Sequence, residues 1–473
     1  MLRFLRREPG FYKRTWLLAL PIILQNLITT SLGFVDTFMV GLLGQSELSA
    51  VTAANTPIFL MQVIIFGLLS GLMVLVSQYW GKHDIEAINR CMGIALYTGV
   101  SIAAIIALIL FLFPSIVMGL VTDNALLIQL GGPYLRIVGV SYIFNAASSV
   151  YVGTQRNTEN PAMGLTVFTA SMLLNTFLNY ILIFGKFGAP ALGITGAAVA
   201  TLTSRVVEFL ITATYALRNR RIPLMPAALF RPGTAFLGDF LKYSTPVLVN
   251  DSVWGLGTTL ITAIIGHMAI SEEMLAAYAI MGNIEKFSTV ACYGIAGAAG
   301  VIVGKRIGEG ASREEVYDVS WCLLLVTLLV GFIVSACIAV LLPTVFIPYL
   351  YPMFHLEGLS LRIAATMCVV FILMMPTKAF DITNITGILR AGGDVRVSAV
   401  IDVGSVWLVA LPITALSALV FDAPVALVCL GIQAEGLSKM PLGILRLRSR
   451  KWINDVTREG TPPSASSEKE VSL

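Results

Sequence analysis

Residues 15–41 read TWLLALPIILQNLITTSLGFVDTFMVG, an apolar stretch interrupted by one proline, Pro21, and one ionisable side chain, Asp36. A bilayer-spanning helix needs about 20 mostly apolar residues, so the stretch can cross a membrane. It then carries a carboxylate where insertion costs at least ~2.5 kcal/mol. The basic residues ahead of it resemble a secretory signal, but the run is too long and too many spans follow, so it reads as an uncleaved first helix. The pattern recurs along a 473-residue chain that is 57% hydrophobic and 12% charged, against roughly 25% charged for a soluble domain. Further apolar runs lie at 53–79, 91–119, 134–154, 162–184, 193–216, 241–266, 276–303, 318–347, 361–388, 397–419 and 424–445. About twelve helices are expected, which leaves no room for a sizeable soluble domain. The composition also excludes a disordered chain, a disulfide-stapled scaffold and a nucleic-acid binder.

Sidedness follows from the basic residues, which collect in cytoplasmic loops. Alternate connections carry Arg3, Arg6, Arg7, Lys13 and Arg14, then Lys82 and Arg90, Arg156, the cluster Arg218, Arg220, Arg221 and Arg231, then Lys305, Arg306 and Arg313, Arg390 and Arg396, and the group from Arg446 to Lys469. Outside the helix ends, the intervening connections hold only Lys186. Both termini are therefore expected in the cytoplasm of a multi-pass protein of the cell membrane, bacterial by its resemblance below. The chain also repeats. When WLLALPIILQN is set against FLKYSTPVLVND, Pro21 meets Pro246, Asn26 meets Asp251 and Gly41 meets Gly266. Six helices per repeat give the halves one orientation, related by an axis along the membrane normal. The expected organisation is a cytoplasmic segment 1–14, an N-lobe 15–217, a linker 218–240, a C-lobe 241–445 and a largely disordered tail 446–473.

Cys91, Cys292, Cys322, Cys337, Cys368 and Cys429 lie in apolar stretches without CxxC pairing and read as small buried hydrophobes. His83, His267 and His355 sit in or near loops, which argues against a zinc site. Gly67 with Gly71, and Gly297 with Gly300, suit close helix packing. Gly392, Gly393 and Asp394 form a cytoplasmic turn.

A cation three or four residues from an acid within a span shares its helix face and can neutralise it. Arg205 pairs with Glu208, Lys378 with Asp381 and Glu435 with Lys439; Glu285 and Lys286 seek partners on other helices, and Asp402 snorkels from a helix end. Asp36 and Asp251 have no local cation. Asp36 falls roughly 8 Å from the outer end of its helix and Asp251 about 15 Å in from the cytoplasmic face. A lone buried acid, sensitive to desolvation and to any bound cation, is a proton or sodium switch. Pro21 removes one backbone hydrogen bond from the same helix and offers a hinge. Asn175 and Asn179, one turn apart on the fifth helix, and Thr201 and Thr203 on the sixth supply oxygens that suit Na⁺ or hydrogen bonds between helices.

GFVDTFMVGLLG on the first helix, NTFLNYILIFGKFGAPALGITGAAVAT across the fifth and sixth, PVLVNDSVWGLG on the seventh and GILRAGGD after the tenth resemble the multidrug and toxic compound extrusion (MATE) family. The resemblance runs from Lys13 to the end of the twelfth helix. It implies an all-α membrane fold of two six-helix lobes exporting organic cations and related amphipathic compounds in exchange for H⁺ or Na⁺, without a cofactor. Residue by residue, Asp36 matches the acid of the N-lobe cation site, Asn175 and Asn179 the polar pair of helix 5, Thr201 the hydroxyl of helix 6 and Pro21 the proline associated with bending. A possible Na⁺ site is thus Asp36, Asn175, Asn179 and Thr201. Asn250, Asp251 and Asp381 are candidates for the cavity or a second coupling group. Asn179 stands where some members have an acid, and Asp251 where a Glu is expected. The expected protein is a monomer in the bilayer with no nucleic-acid partner. A lipid-linked sugar flippase, a membrane-embedded enzyme and a channel are the rivals.

Overall fold

A computed structural model describes residues 9–354, 356–421 and 423–458 of the chain. Twelve helices are long and apolar enough to cross a membrane. They are α1 (Gly10–Gly41), α2 (Gln45–Gly81), α3 (Ile85–Leu112), α4 (Ala125–Asn157), α5 (Pro161–Phe184), α6 (Gly193–Arg218), α7 (Thr234–Gly266), α8 (Ser271–Gly308), α9 (Arg313–Met353), α10 (Gly358–Leu389), α11 (Val395–Val420) and α12 (Val425–Ser449). Among the described residues there is no β-strand.

Most helices outrun the apolar segments that announced them. Helix α2 begins at Gln45 rather than 53, and α8 runs on to Gly308 rather than 303. Hydropathy marks the part of a helix that touches hydrocarbon, whereas backbone hydrogen bonding continues into the polar layer until a cap or proline intervenes. Helix α3 does the reverse: it stops at Leu112 because Pro114 opens a separate short helix, Pro114–Gly119. The segment between α6 and α7 contains a short helix, Pro226–Phe230. Helix α10 widens to i→i+5 hydrogen bonding over Ile382–Leu389, just after Asp381.

The first six helices pack mainly through α4, which meets α2, α3 and α6, and through α5 against α1 and α6. The halves meet along α1 with α8 and along α2 with α7 and α8. Glycines let those helices approach: Gly67 and Gly71 face Leu248 and Ser244 of α7, while Gly304 and Gly308 face Ser77 and Gln78 of α2. Every residue of α2 from Ser70 to Gly81 is buried, whereas Asn55, Phe59 and Gln62 nearer its start are exposed. The halves are therefore sealed at the end bearing the basic loops and less tightly packed along α2 toward the other end.

The ordered part of the tail was not anticipated. Arg446–Ser449 belongs to α12, and 452–458 lies across the basic face with Trp452 fully buried. Gln78 of α2, itself fully buried, donates through Nε2 to the carbonyls of Ala391 (2.9 Å) and Asn454 (3.1 Å) and accepts from Val456 N (2.9 Å). Asp455 pairs with Lys82 at 2.9 Å, and Arg458 with Asp239 at 2.6 Å. The segment straps the first half to the α10–α11 turn. Composition suggested disorder because the stretch is polar; a buried glutamine supplying two hydrogen bonds to it, with the ion pairs of Asp455 and Arg458, offsets the cost of ordering it. The rest of the expected tail, from residue 459, lies outside the described residues, as do His355 and residues 1–8. Five cysteines are buried as expected, but Cys337 is exposed.

Candidate functional site

Ser171, Asn175 and Asn179 recur every four residues and so share one face of α5. Asn179 Nδ2 donates to Asp36 Oδ1 of α1 at 2.6 Å and to Asn175 Oδ1 at 3.0 Å. Asn175 Nδ2 in turn donates to Thr201 Oγ1 of α6 at 3.4 Å. One turn further along α5, the Ser171 hydroxyl donates to Glu208 Oε2 at 3.0 Å, and Arg205 Nη1 bonds to the same oxygen at 2.7 Å. The structure thus brings Asp36, Asn175, Asn179 and Thr201 into one hydrogen-bonded chain across three helices. Thr203 is exposed and bonds to its own backbone at Val199.

Asn175 and Asn179 are buried and Asp36 is half-buried. Among the described residues, no Lys, Arg or His lies within ion-pair distance of Asp36. The Asn179 amide spends its donor on two oxygens, and its own Oδ1 is buried without a partner. A carboxylate, two side-chain amides and a hydroxyl are linked in this chain, oxygen-bearing groups of the kind that suit a proton or a small hard cation. No three His, Cys, Asp or Glu side chains among the described residues form a group able to hold a metal ion. An ion at Asp36 would rest on one carboxylate and neutral oxygens.

The second half is wired differently, and several pairings differ from those expected. Asp251, which has no cation three or four residues away on its own helix, meets Arg390 at the end of α10 at 3.1 Å; Arg390 also donates to Ser70 of α2 at 3.3 Å. Asn250 donates to Asp251 and Asp402, each at 2.9 Å. Asp402 does not snorkel; it takes Lys439 at 2.7 Å. Lys439 also holds Glu435 at 2.7 Å, the one pair in this half that helical spacing identified. Lys378 bonds to Glu285 of α8 instead of Asp381. Asp381 is buried between α10 and α12, its Oδ1 without a partner. Helical spacing names a neighbour on the same helix, but a lysine stem reaches the next helix equally well, and α8 offered the better acid. The lobes are therefore electrostatically unequal: Asp36 on α1 stands without a cation in ion-pair distance among the described residues, while Asp251 on the equivalent helix α7 is paired.

At the basic face, Glu159 of the α4–α5 loop accepts from Lys305 of α8 at 2.7 Å and from Trp80 Nε1 at 3.1 Å, and Arg221 stacks over the Trp80 ring at 4.8 Å. Burial alone would raise the Glu159 carboxyl, but the bonds from Lys305 and Trp80 and the charges of Lys305 and Arg221 outweigh it and hold it below the ordinary glutamate range. A depressed carboxyl contributes above its ordinary range and is lost only as pH falls through the lowered value. This tie between the halves is accordingly intact at neutral pH. Sequence reading missed Glu159, Gln78 and Ser171; only Ser171, by its spacing from Asn175, left a signal.

Away from these polar groups, a pocket of about 480 Å³ lies between α1, α8 and α9. Phe34, Phe287, Cys337 and Leu341 line it, and Phe34 and Phe287 meet edge to face across the two halves at 6.4 Å.

The family model described as MatE matches the chain twice, at residues 21–181 and 246–416. A probable multidrug resistance protein NorM of Thermotoga maritima is 26% identical over 468 residues, covering 94% of each chain. The multidrug resistance protein PmpM of Pseudomonas aeruginosa is 25% identical over 409 residues, covering 84% of this chain and 82% of its own. An outward-facing structure of a multidrug resistance MATE family transporter superposes with a TM-score of 0.83 at 18% identity, covering 95% of this chain and 97% of that one.

Proposed function

The chain belongs to the MatE family, multi-pass membrane transporters and not enzymes, and from that premise we propose that it exports amphipathic organic cations by antiport against H⁺ or Na⁺. The observation that carries this reading is Asp36: a carboxylate inside the membrane, hydrogen-bonded to Asn179 and without a neighbouring cation. The basic face is cytoplasmic by its charge, so the tightly sealed side faces the cytoplasm. An ion arriving from outside neutralises Asp36 with oxygens from Asn175, Asn179 and Thr201, and Pro21 lets α1 bend as the charge changes. Cargo enters from the cytoplasm in the alternate state. Its cationic head competes for the ionised acid, and its apolar body lies against aromatic side chains. Asn250 and Asp251, tied through Arg390 to Ser70, hold the lobes together on the cytoplasmic side, while Asp381 is a second acid able to take up a charge.

A flippase for phosphate-linked sugars needs cations free to meet phosphate, and Lys378, Lys439 and Arg390 are each engaged by acids. Ethidium efflux from proteoliposomes with a proton or a sodium gradient imposed separately tests the proposal. One gradient is expected to drive accumulation against the concentration difference. Equal, passive flux under both, or none, would sink it.

The strap bears on the same cycle, because its bonds must break whenever the cytoplasmic side opens. Gln78→Leu removes two of them, at Asn454 and Val456, together with the bond to Ala391, and leaves those backbone groups unpaired, at ~1–3 kcal/mol for each group. Expected is a shift toward the inward-open state, read as faster labelling of a cysteine placed at Ser77 from the cytoplasmic side. Unchanged labelling would show that the strap is incidental to closure.

A further inference from the structure

The pair formed by Arg205 and Glu208 is oddly made for a buried ion pair. Glu208 is completely buried, yet only Oε2 is used; Oε1 has no partner. Arg205 spends one of its five N–H donors, on that single oxygen at 2.7 Å. A guanidinium placed only to neutralise a carboxylate tends to grip both oxygens. Around the pair, the hydroxyls of Ser204, Thr212 and Thr176 are also buried without partners. The layer is loosely satisfied and leaves guanidinium donors over for a further acceptor.

Its position gives that freedom a use. Arg205 lies one turn from Thr201 on α6, and Ser171 lies one turn from Asn175 on α5, so the pair forms the next rung inward from the Asp36 chain. The ionisable groups acting on Arg205 are Glu208 on its own helix, Asp36 on α1 and Tyr142 on α4, whose hydroxyl accepts from Gln62 at 2.8 Å; α5 contributes the Ser171 hydroxyl. Glu208 holds the guanidinium, and Asp36 is the second acid whose charge acts on it.

We propose that Arg205 is a tethered counter-ion for Asp36, resting on Glu208 while Asp36 holds its ion or cargo and turning toward Asp36 when that site is empty. This rests on Asp36 being the coupling acid. An empty site would otherwise expose a bare carboxylate in a medium of low dielectric; a mobile internal cation limits that penalty and so lets the ion leave. Arg205 is thus a positioning residue that competes with H⁺ or Na⁺ and sets how much ion half-saturates exchange.

The two partners give effects of opposite sign. Glu208→Gln frees Arg205 for Asp36, and roughly three- to tenfold more ion is expected for half-maximal efflux. The double variant Arg205→Gln with Glu208→Gln removes the competitor, and roughly three- to tenfold less ion is expected, with lower maximal turnover. Arg205→Lys keeps the charge and should return half-saturation close to the wild type. The assay is ethidium efflux from proteoliposomes over a range of pH or sodium, on protein first shown to be monodisperse after purification. If Glu208→Gln and the double variant move half-saturation the same way, or neither moves it, the proposal is overturned. Should Asp36→Asn abolish ion-driven efflux while these variants stay at wild type, the counter-ion fails and the coupling role of Asp36 stands. Should Asp36→Asn leave ion-driven efflux intact, the coupling role itself fails.

Discussion

Asp36→Asn is expected to abolish ion-driven efflux and leave the protein folded in the membrane. The substitution keeps shape and an acceptor oxygen for the Asn179 amide, so the 2.6 Å contact has a neutral equivalent. Folding should not suffer, because a neutral amide is cheaper to place within the bilayer than a carboxylate. What is lost is the ability to exchange one charge for another. A single coupled charge moving through 100 mV carries ~2.3 kcal/mol, about a fiftyfold accumulation ratio. Ethidium efflux under an imposed gradient should fall to the level of empty vesicles, while the thermal midpoint of the purified protein stays within a few degrees of wild type. Efflux at wild-type rates would remove the basis of the proposed mechanism. A variant that is inactive and also unfolded would instead assign Asp36 to stability.

The second large effect concerns closure. Gly308 of α8 lies so close to the backbone carbonyl of Gln78 that a Cβ has no room unless the helices part. Gly308→Leu is therefore expected to disfavour the sealed basic face, cytoplasmic in the proposed orientation, by ~1–3 kcal/mol, the usual range for overpacking. That corresponds to a 5- to 150-fold shift toward the inward-open state, roughly. Efflux should drop more than about tenfold at the upper end of that range, and cytoplasmic labelling at Ser77 should rise with it. Leucine is a better helix former than glycine by about 1 kcal/mol, so the loss cannot be blamed on a weakened α8. Gly282→Leu on the same helix is the control, since nothing lies within 4 Å of the added Cβ. Equal effects at the two positions would mean that the close α2–α8 approach does not govern the cycle.

These expectations draw on different levels of information. The number of spans could be read from the sequence because partition into hydrocarbon is a local property, summed over about 20 residues at a time. That Asp36, Asn175, Asn179 and Thr201 meet was also foreshadowed: an acid without a cation within a turn on its own helix needs polar neighbours, and a four-residue spacing on α5 aligns two of them. The same spacing rule succeeded for Arg205 with Glu208 and for Lys439 with Glu435, and failed for Lys378, which prefers Glu285, and for Asp251, whose cation comes from α10. It also gave no sign of the strap over Gln78.

The sequence by itself therefore determined which segments cross the bilayer, that one half echoes the other, and which acid on the first helix lacks a neighbouring charge. Each is written in hydropathy, repetition or helical period. Only the tertiary structure decided which acid each cation takes, which glycines seal the halves and where 452–458 lies. Those choices depend on how far each helix is rotated and slid against the next. That register is fixed jointly by many packing contacts between residues distant in the chain.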